Sequence, residues 1–140
     1  MREGAIHHRA FLAGSSFPVV LTPFTYLGIS SLLNPNSGFA FQYVVWIFPL
    51  IMGTWNVLFL GWSRKRFVES RTQAYWIGGV TLGILLPVLG NITGTPQRLF
   101  GLEGAKGLIM IPIAMVGYGL VWRYVVKWVN TILGLEPNDA

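Results

Sequence analysis

Between Arg9 and Arg64 the chain has no charged residue, and this long neutral stretch restricts its possible folds more than any other feature. The main break in it is the segment 34–38 (NPNSG), which combines Asn, Pro and Gly as turns do. A helix crosses about 30 Å of hydrocarbon with about 20 apolar residues, so each half of the stretch is long enough to do so. The stretch therefore predicts a helical hairpin in a membrane.

The rest of the chain repeats this pattern. Of the 140 residues, 53% are hydrophobic and only 11% are charged, against about 25% in soluble domains. Four apolar stretches are long enough to span a bilayer, at about 11–33, 41–62, 75–95 and 104–126. We predict a single transmembrane domain over residues 1–140, an all-α integral membrane protein built as a four-transmembrane-helix bundle. The first stretch is longer than the apolar core of a cleaved signal peptide and is expected to be retained.

The basic residues predict the orientation of the bundle. With four spans, only Arg98 and Lys106 fall on one side of the membrane. The other side holds Arg2, Arg9, Arg64, Lys65, Arg66, Arg71, Arg123 and Lys127. The positive-inside rule then places both termini and the 63–73 loop in the cytoplasm. Attraction of these cations to the negative inner leaflet accounts for the net charge of +5 without a nucleic-acid partner.

Every predicted span contains a proline in its interior, and these are Pro18, Pro23, Pro49, Pro87 and Pro112. Proline has no N–H and clashes with the carbonyl four residues earlier, so we expect proline-kinked helices. Such kinks serve as hinges in some transporters, but proline is also common in ordinary membrane helices. Both interpretations remain open from the sequence.

Small residues form one face of the third span. Gly79, Gly83, Pro87, Gly90 and Gly94 recur every three or four residues and so lie along a narrow stripe. Without side chains, this face would let another helix backbone approach closely. We predict helix packing for the glycines, with reception of a ring or an acyl chain as the alternative.

The second span has a similar face that includes Gly53 and Asn56. Counting back about 1.5 Å per residue from Trp62 places Asn56 about 9 Å inside the hydrocarbon, away from the midplane where transport sites tend to lie. Interhelical amide hydrogen bonds contribute about 0.6 to 2 kcal/mol. We therefore predict that Asn56 holds helices together rather than forming a working site.

The cationic side chains on the predicted cytoplasmic side suggest contacts with lipid phosphates. The candidates are Arg64, Lys65, Arg66, Arg123 and Lys127. The simpler alternative for Arg123 and Lys127 is snorkelling toward the head groups. In either case the predicted partners are the bilayer and its anionic head groups.

No catalytic group of residues is visible in the sequence. There is no cysteine, no titratable residue near a predicted bilayer centre, and no nucleophile spaced with a base, so we predict no enzyme, metal site or cofactor. The adjacent His7 and His8 do not complete a metal site. Two functions remain: an accessory or scaffold subunit that packs against other membrane subunits, or a self-associating channel or transporter for a neutral or hydrophobic small molecule.

Overall fold

The structure is a computed structural model that describes residues 3–25, 32, 34–66 and 70–136. Every regular element in these ranges is a helix, which confirms the all-α prediction. A short 3-10 turn, Pro35–Ser37, precedes the second helix. The five helices are α1 (Glu3–Thr25), α2 (Gly38–Arg66), α3 (Arg71–Thr93), α4 (Thr95–Phe100) and α5 (Gly104–Ile132).

The last helix, α5, changes its winding along its length. It begins as a 3-10 helix at Gly104–Ile109, continues as an α-helix at Met110–Leu120, widens to a π-helix at Val121–Val126 and ends as an α-helix at Lys127–Ile132. The wider π turn rotates the residues that follow it relative to a regular α-helix. Side chains near the end of α5 are therefore placed differently from what regular 3.6-residue spacing predicts.

The four long helices run alternately up and down. α1 packs along α2, and α3 packs along α5. The two pairs are joined where the Trp55 indole donates to the Gly78 carbonyl at 3.1 Å, and where Arg9 donates to the Leu133 carbonyl at 3.4 Å. The start of α1, the end of α2, the start of α3 and the end of α5 therefore lie at the same end of the bundle. We call it the basic end, because Arg9 lies there.

Close backbone contact within each pair depends on glycine. A Cβ at Gly83 would lie 2.5 Å from the Ala114 carbonyl oxygen, and one at Gly79 would overlap the Tyr118 carbonyl. At Gly53 a Cβ would meet the Phe11 ring at 2.7 Å. Since even a methyl group does not fit, these positions set how near the paired helices lie.

Within the described residues, three helices are long and apolar enough to cross a membrane, over Trp46–Ser63, Arg71–Thr93 and Gly104–Ile132. Helix α1 is not among them. It begins at Glu3 rather than near residue 11, so its first turns are polar, and the predicted span ended in residues 26–31 and 33, outside the described residues. The prediction of apolar helices of membrane-spanning length is therefore confirmed for three helices.

Glycines in the left-handed conformation determine where two helices end. Gly94 has φ 70° and ends α3 at Thr93, slightly before the predicted limit. α5 continues past the predicted residue 126 to Ile132, because apolar residues continue through this segment. There Gly134, with φ 68°, reverses the chain direction: its N–H bonds the Thr131 carbonyl and that of Leu135 bonds the Asn130 carbonyl.

Candidate functional site

Buried polar side chains are concentrated near the basic end of the bundle. They come from α2, α3, α5 and the turn after α5. The members of this polar cluster are Asn56, Ser63, Arg71, Tyr75, Asn130 and Glu136.

Two amides form the inner part of the polar cluster. Asn56 Nδ2 donates to Asn130 Oδ1 at 3.0 Å, and Asn130 Nδ2 donates back to Asn56 Oδ1 at 3.2 Å. The second N–H of Asn56 bonds the Ala10 carbonyl at 2.8 Å, and that of Asn130 bonds the Tyr75 hydroxyl at 2.9 Å. Both asparagines are fully buried, and these bonds connect all four long helices. Every amide N–H of the pair has a partner.

The outer part of the cluster is an ion pair with a hydroxyl on each side. Arg71 Nε donates to Glu136 Oε2 at 2.9 Å, and its Nη2 contacts Glu136 Oε1. The Tyr75 hydroxyl donates to Glu136 Oε1 at 3.2 Å, and Arg71 also reaches Ser63 Oγ at 3.5 Å. The side chain of Glu136 is 5% exposed and that of Arg71 is 17% exposed. Burial of this carboxylate is thus accompanied by a bidentate charge partner.

The turn after α5 brings Glu136 into the bundle. Gly134 takes the left-handed conformation that side chains disfavour, and the chain then folds back so that Leu135 is buried at 4% exposure. Leu135 contributes to the apolar core that includes Trp122 and Val126. The acidic residue that follows is thereby held against Arg71 across the bundle end.

This cluster is chemically saturated rather than open. The two amides and the ion pair are hydrogen-bonded within the bundle, and the Ser63 hydroxyl accepts from Arg71. No group of three or more His, Cys, Asp or Glu side chains that could hold a metal occurs among the described residues. The geometry fits a structural role, and the role predicted for Asn56 in holding helices together stays a prediction.

A cavity lies in the half of the bundle that is away from the basic end. Its volume is about 290 Å³, and residues of all five helices line it. The lining is almost entirely apolar and contains no charged residue. Its larger side chains are Phe17, Leu21, Phe48, Met52, Leu86, Leu99, Phe100, Met110 and Tyr118.

Three hydroxyl-bearing residues line the cavity. Thr22 Oγ1 donates to the Pro18 carbonyl, and Thr95 Oγ1 is 2.8 Å from Thr93 Oγ1. For Tyr118 the described part of the chain offers no hydrogen-bond partner. The indole N–H of Trp122, one turn further along α5, is buried and has no hydrogen-bond partner in the described residues, but Trp122 does not line the cavity.

The glycines of the predicted stripe separate into three environments. Gly79 and Gly83 lie against the backbone of α5, whereas Gly90 lines the cavity, where a Cβ would meet Thr95 at 3.7 Å. Gly94 lies beyond the end of α3 and takes the left-handed conformation there. Gly53 packs against α1 through Phe11.

Of the predicted lipid-contacting cations, the structure describes the side chains of Arg123 and Lys127, and these two contact different residues. Arg123 is exposed, with its guanidinium 5.4 Å from the Tyr124 ring centroid. Lys127 is half-buried and donates to Thr72 Oγ1 at 3.2 Å. The side chains of Arg64, Lys65 and Arg66 lie outside the described residues. Lipid-phosphate contact therefore stays a prediction for all five.

Sequence reasoning missed three functional candidates, namely Asn130, Glu136 and Tyr118. A signal for Asn130 was present, because apolar residues continue beyond Val126 and place this amide within a helix. Glu136 had no such signal, since its contact with Arg71 joins residues 65 positions apart. The sequence does not distinguish Tyr118 from the other aromatic residues of the predicted membrane helices.

The chain matches no protein-family model, and no curated protein or solved structure is significantly similar to it.

Proposed function

We propose that the chain is a four-span membrane protein with kinked helices and with its basic end in the cytoplasm. The pairing of α1 along the full apolar middle of α2 supports a first span. Exposed apolar side chains such as Val19, Leu58 and Ile113, each at least 58% exposed, suit a hydrocarbon environment. Prolines lie inside the long helices, which supports the proposed kinks.

Single cysteines check this orientation, because the chain has none of its own. Gly4→Cys lies near the basic end and Ala105→Cys near the opposite end, and both positions are exposed. In intact cells an impermeant maleimide should label only Ala105→Cys, and Gly4→Cys should react only after permeabilisation. Labelling of both from outside would contradict four spans, and the reverse pattern would contradict the orientation.

Within this bundle we propose binding of a neutral hydrophobic small molecule as the function. The cavity carries this proposal, because it lies among all five helices and its lining has no charge. An engineered apolar cavity of about 150 Å³ binds benzene, so the present volume accommodates a ligand of about two fused rings. An ionic ligand would lose its hydration there without gaining a charged partner.

The filled half of the bundle favours binding or carriage over an open pore. Between the cavity and the basic end lie the fully buried Trp122 and Tyr75 and the asparagine pair. A continuous pathway through the chain would require these side chains to separate. Release of a ligand into the bilayer between helices is the simpler route.

The role of accessory subunit is a second proposal. Among the described residues, the buried ion pair of Arg71 and Glu136 lies at the basic end and no charged residue lines the cavity. No charged group is therefore placed along the cavity to drive transport, which supports this role. Against it, the glycine faces expected to contact other chains are used inside this chain, at Gly53, Gly79 and Gly83. We therefore place ligand binding first.

Gly90→Leu tests the binding proposal, with Gly117→Leu as its matched control. Gly90 lines the cavity, whereas no atom lies within 4 Å of a Cβ at Gly117. The probe is 2-methylnaphthalene in lipid nanodiscs, and the readout is the rise in melting temperature that a ligand of the folded state produces. We expect binding by the native chain and by Gly117→Leu, and at least about tenfold weaker binding by Gly90→Leu, since the leucine occupies the ligand volume.

Two results would contradict the proposal. Equal binding by Gly90→Leu and Gly117→Leu would mean that the probe is held elsewhere, and no binding by the native chain would leave the cavity without a ligand role. Stoichiometric foreign subunits after gentle purification from the native membrane would favour the accessory role instead.

A further inference from the structure

Tyr118 is the polar residue of the cavity whose hydrogen-bonding capacity is not used by the described residues. The hydroxyls of Thr22 and Thr95 are already engaged, with a backbone carbonyl and with a neighbouring threonine. Tyr118 lines the same cavity on α5, at the turn where the carbonyl of Tyr118 faces Gly79 of α3. The Tyr118 backbone is therefore in close contact with α3, and the residue also lines the cavity.

A phenol in apolar surroundings is stabilised by an acceptor. The described residues give the Tyr118 hydroxyl no acceptor, so a ligand that supplies one gains a hydrogen bond that a hydrocarbon does not gain. No charged residue lines the cavity to balance an ionised acceptor. The acceptor that fits is a neutral one, such as the carbonyl oxygen of a ketone or a quinone.

We propose that the cavity selects hydrophobic molecules that carry a neutral carbonyl, and that Tyr118 donates its hydroxyl proton to that oxygen in a hydrogen bond. This inference rests on the proposed binding function and specifies the class of its ligand. The apolar walls provide affinity for the rings or chains of the ligand, and Tyr118 provides the preference for an oxygen at one end.

Two probes of one skeleton test this preference. They are 2-methyl-1,4-naphthoquinone and 2-methylnaphthalene, which differ in two carbonyl groups. The quinone does not form thiol adducts with this chain, because the chain contains no cysteine. Each is titrated into nanodiscs at known mole fraction in the lipid, and the dissociation constant is taken from the melting temperature as a function of ligand.

We expect the native chain to bind the quinone about threefold to tenfold more tightly than the hydrocarbon, the range set by one neutral hydrogen bond. Tyr118→Phe should lose that preference and keep its affinity for the hydrocarbon. Tyr124→Phe is the control, because Tyr124 lies on the same helix but is 60% exposed and does not line the cavity.

The outcomes distinguish this inference from the function on which it rests. If the hydrocarbon binds but the native chain shows no preference, or if Tyr118→Phe keeps the preference, the ligand class is wrong and the binding function stands. Equal weakening of both probes by Tyr118→Phe would assign the residue a packing role and overturn the inference. If neither probe binds the native chain, the binding function fails as well.

Discussion

Gly79→Ala is expected to lower the free energy of unfolding by about 1 to 3 kcal/mol, the cost typical of forcing extra volume into a packed interior. The new methyl group would overlap the Tyr118 carbonyl oxygen and come within 2.7 Å of the Trp122 Cβ. Since a backbone atom cannot rotate away, α3 and α5 would have to separate along their shared face. Unfolding in mixed micelles of rising sodium dodecyl sulfate content, followed by circular dichroism, measures the effect.

Gly117→Ala is the matched control on the facing helix. Nothing lies within 4 Å of a Cβ at that position, so the same substitution should be neutral or slightly stabilising. Opposite effects at Gly79 and Gly117 would identify contact with α5, rather than glycine content, as the cause. Equal stability of the two variants would contradict the close approach of α3 and α5.

Asn56→Leu is expected to destabilise the bundle by about 1 to 3 kcal/mol, because it leaves Asn130 and the Ala10 carbonyl buried without their partner. Asn130→Leu should cost a similar amount, since it removes one hydrogen bond of the Tyr75 hydroxyl in addition to those of Asn56. In both variants the fold should assemble, because the surrounding apolar core is unchanged. The same micelle titration measures the loss.

The double variant Asn56→Leu, Asn130→Leu separates pairing from position. Replacing both partners by apolar groups of similar size removes the unsatisfied amide, so the double variant should be less destabilised than the sum of the two single ones. Strict additivity would show that the two amides act independently. Loss of ligand binding by Asn56→Leu with unchanged stability would instead make Asn56 part of a working site.

The glycines illustrate how far a sequence pattern leads. Their spacing places Gly79, Gly83 and Gly90 on one face of a helix, because helical geometry requires it. It cannot say that the face meets a helix of the same chain at Gly79 and a cavity at Gly90. That depends on α4 (Thr95–Phe100), because residues of this helix line the cavity together with Gly90.

The end of α5 is a second case. The sequence predicts a span that ends near residue 126. In the structure the π turn at Val121–Val126 changes the rotation of the helix, and Asn130 is hydrogen-bonded to Asn56 in the polar cluster near the basic end. A prediction based on regular 3.6-residue spacing does not include that change.

The sequence by itself determined that this chain forms apolar helices of membrane length and carries most of its cations toward one end. Hydropathy and charge are properties of each residue, and they act on the transfer to a membrane without reference to other helices. Only the tertiary structure decided that Arg71 meets Glu136 and that Tyr118 borders an apolar cavity. These contacts depend on the rotation of each helix about its axis and on the Gly134 turn, and neither is specified until distant segments pack together.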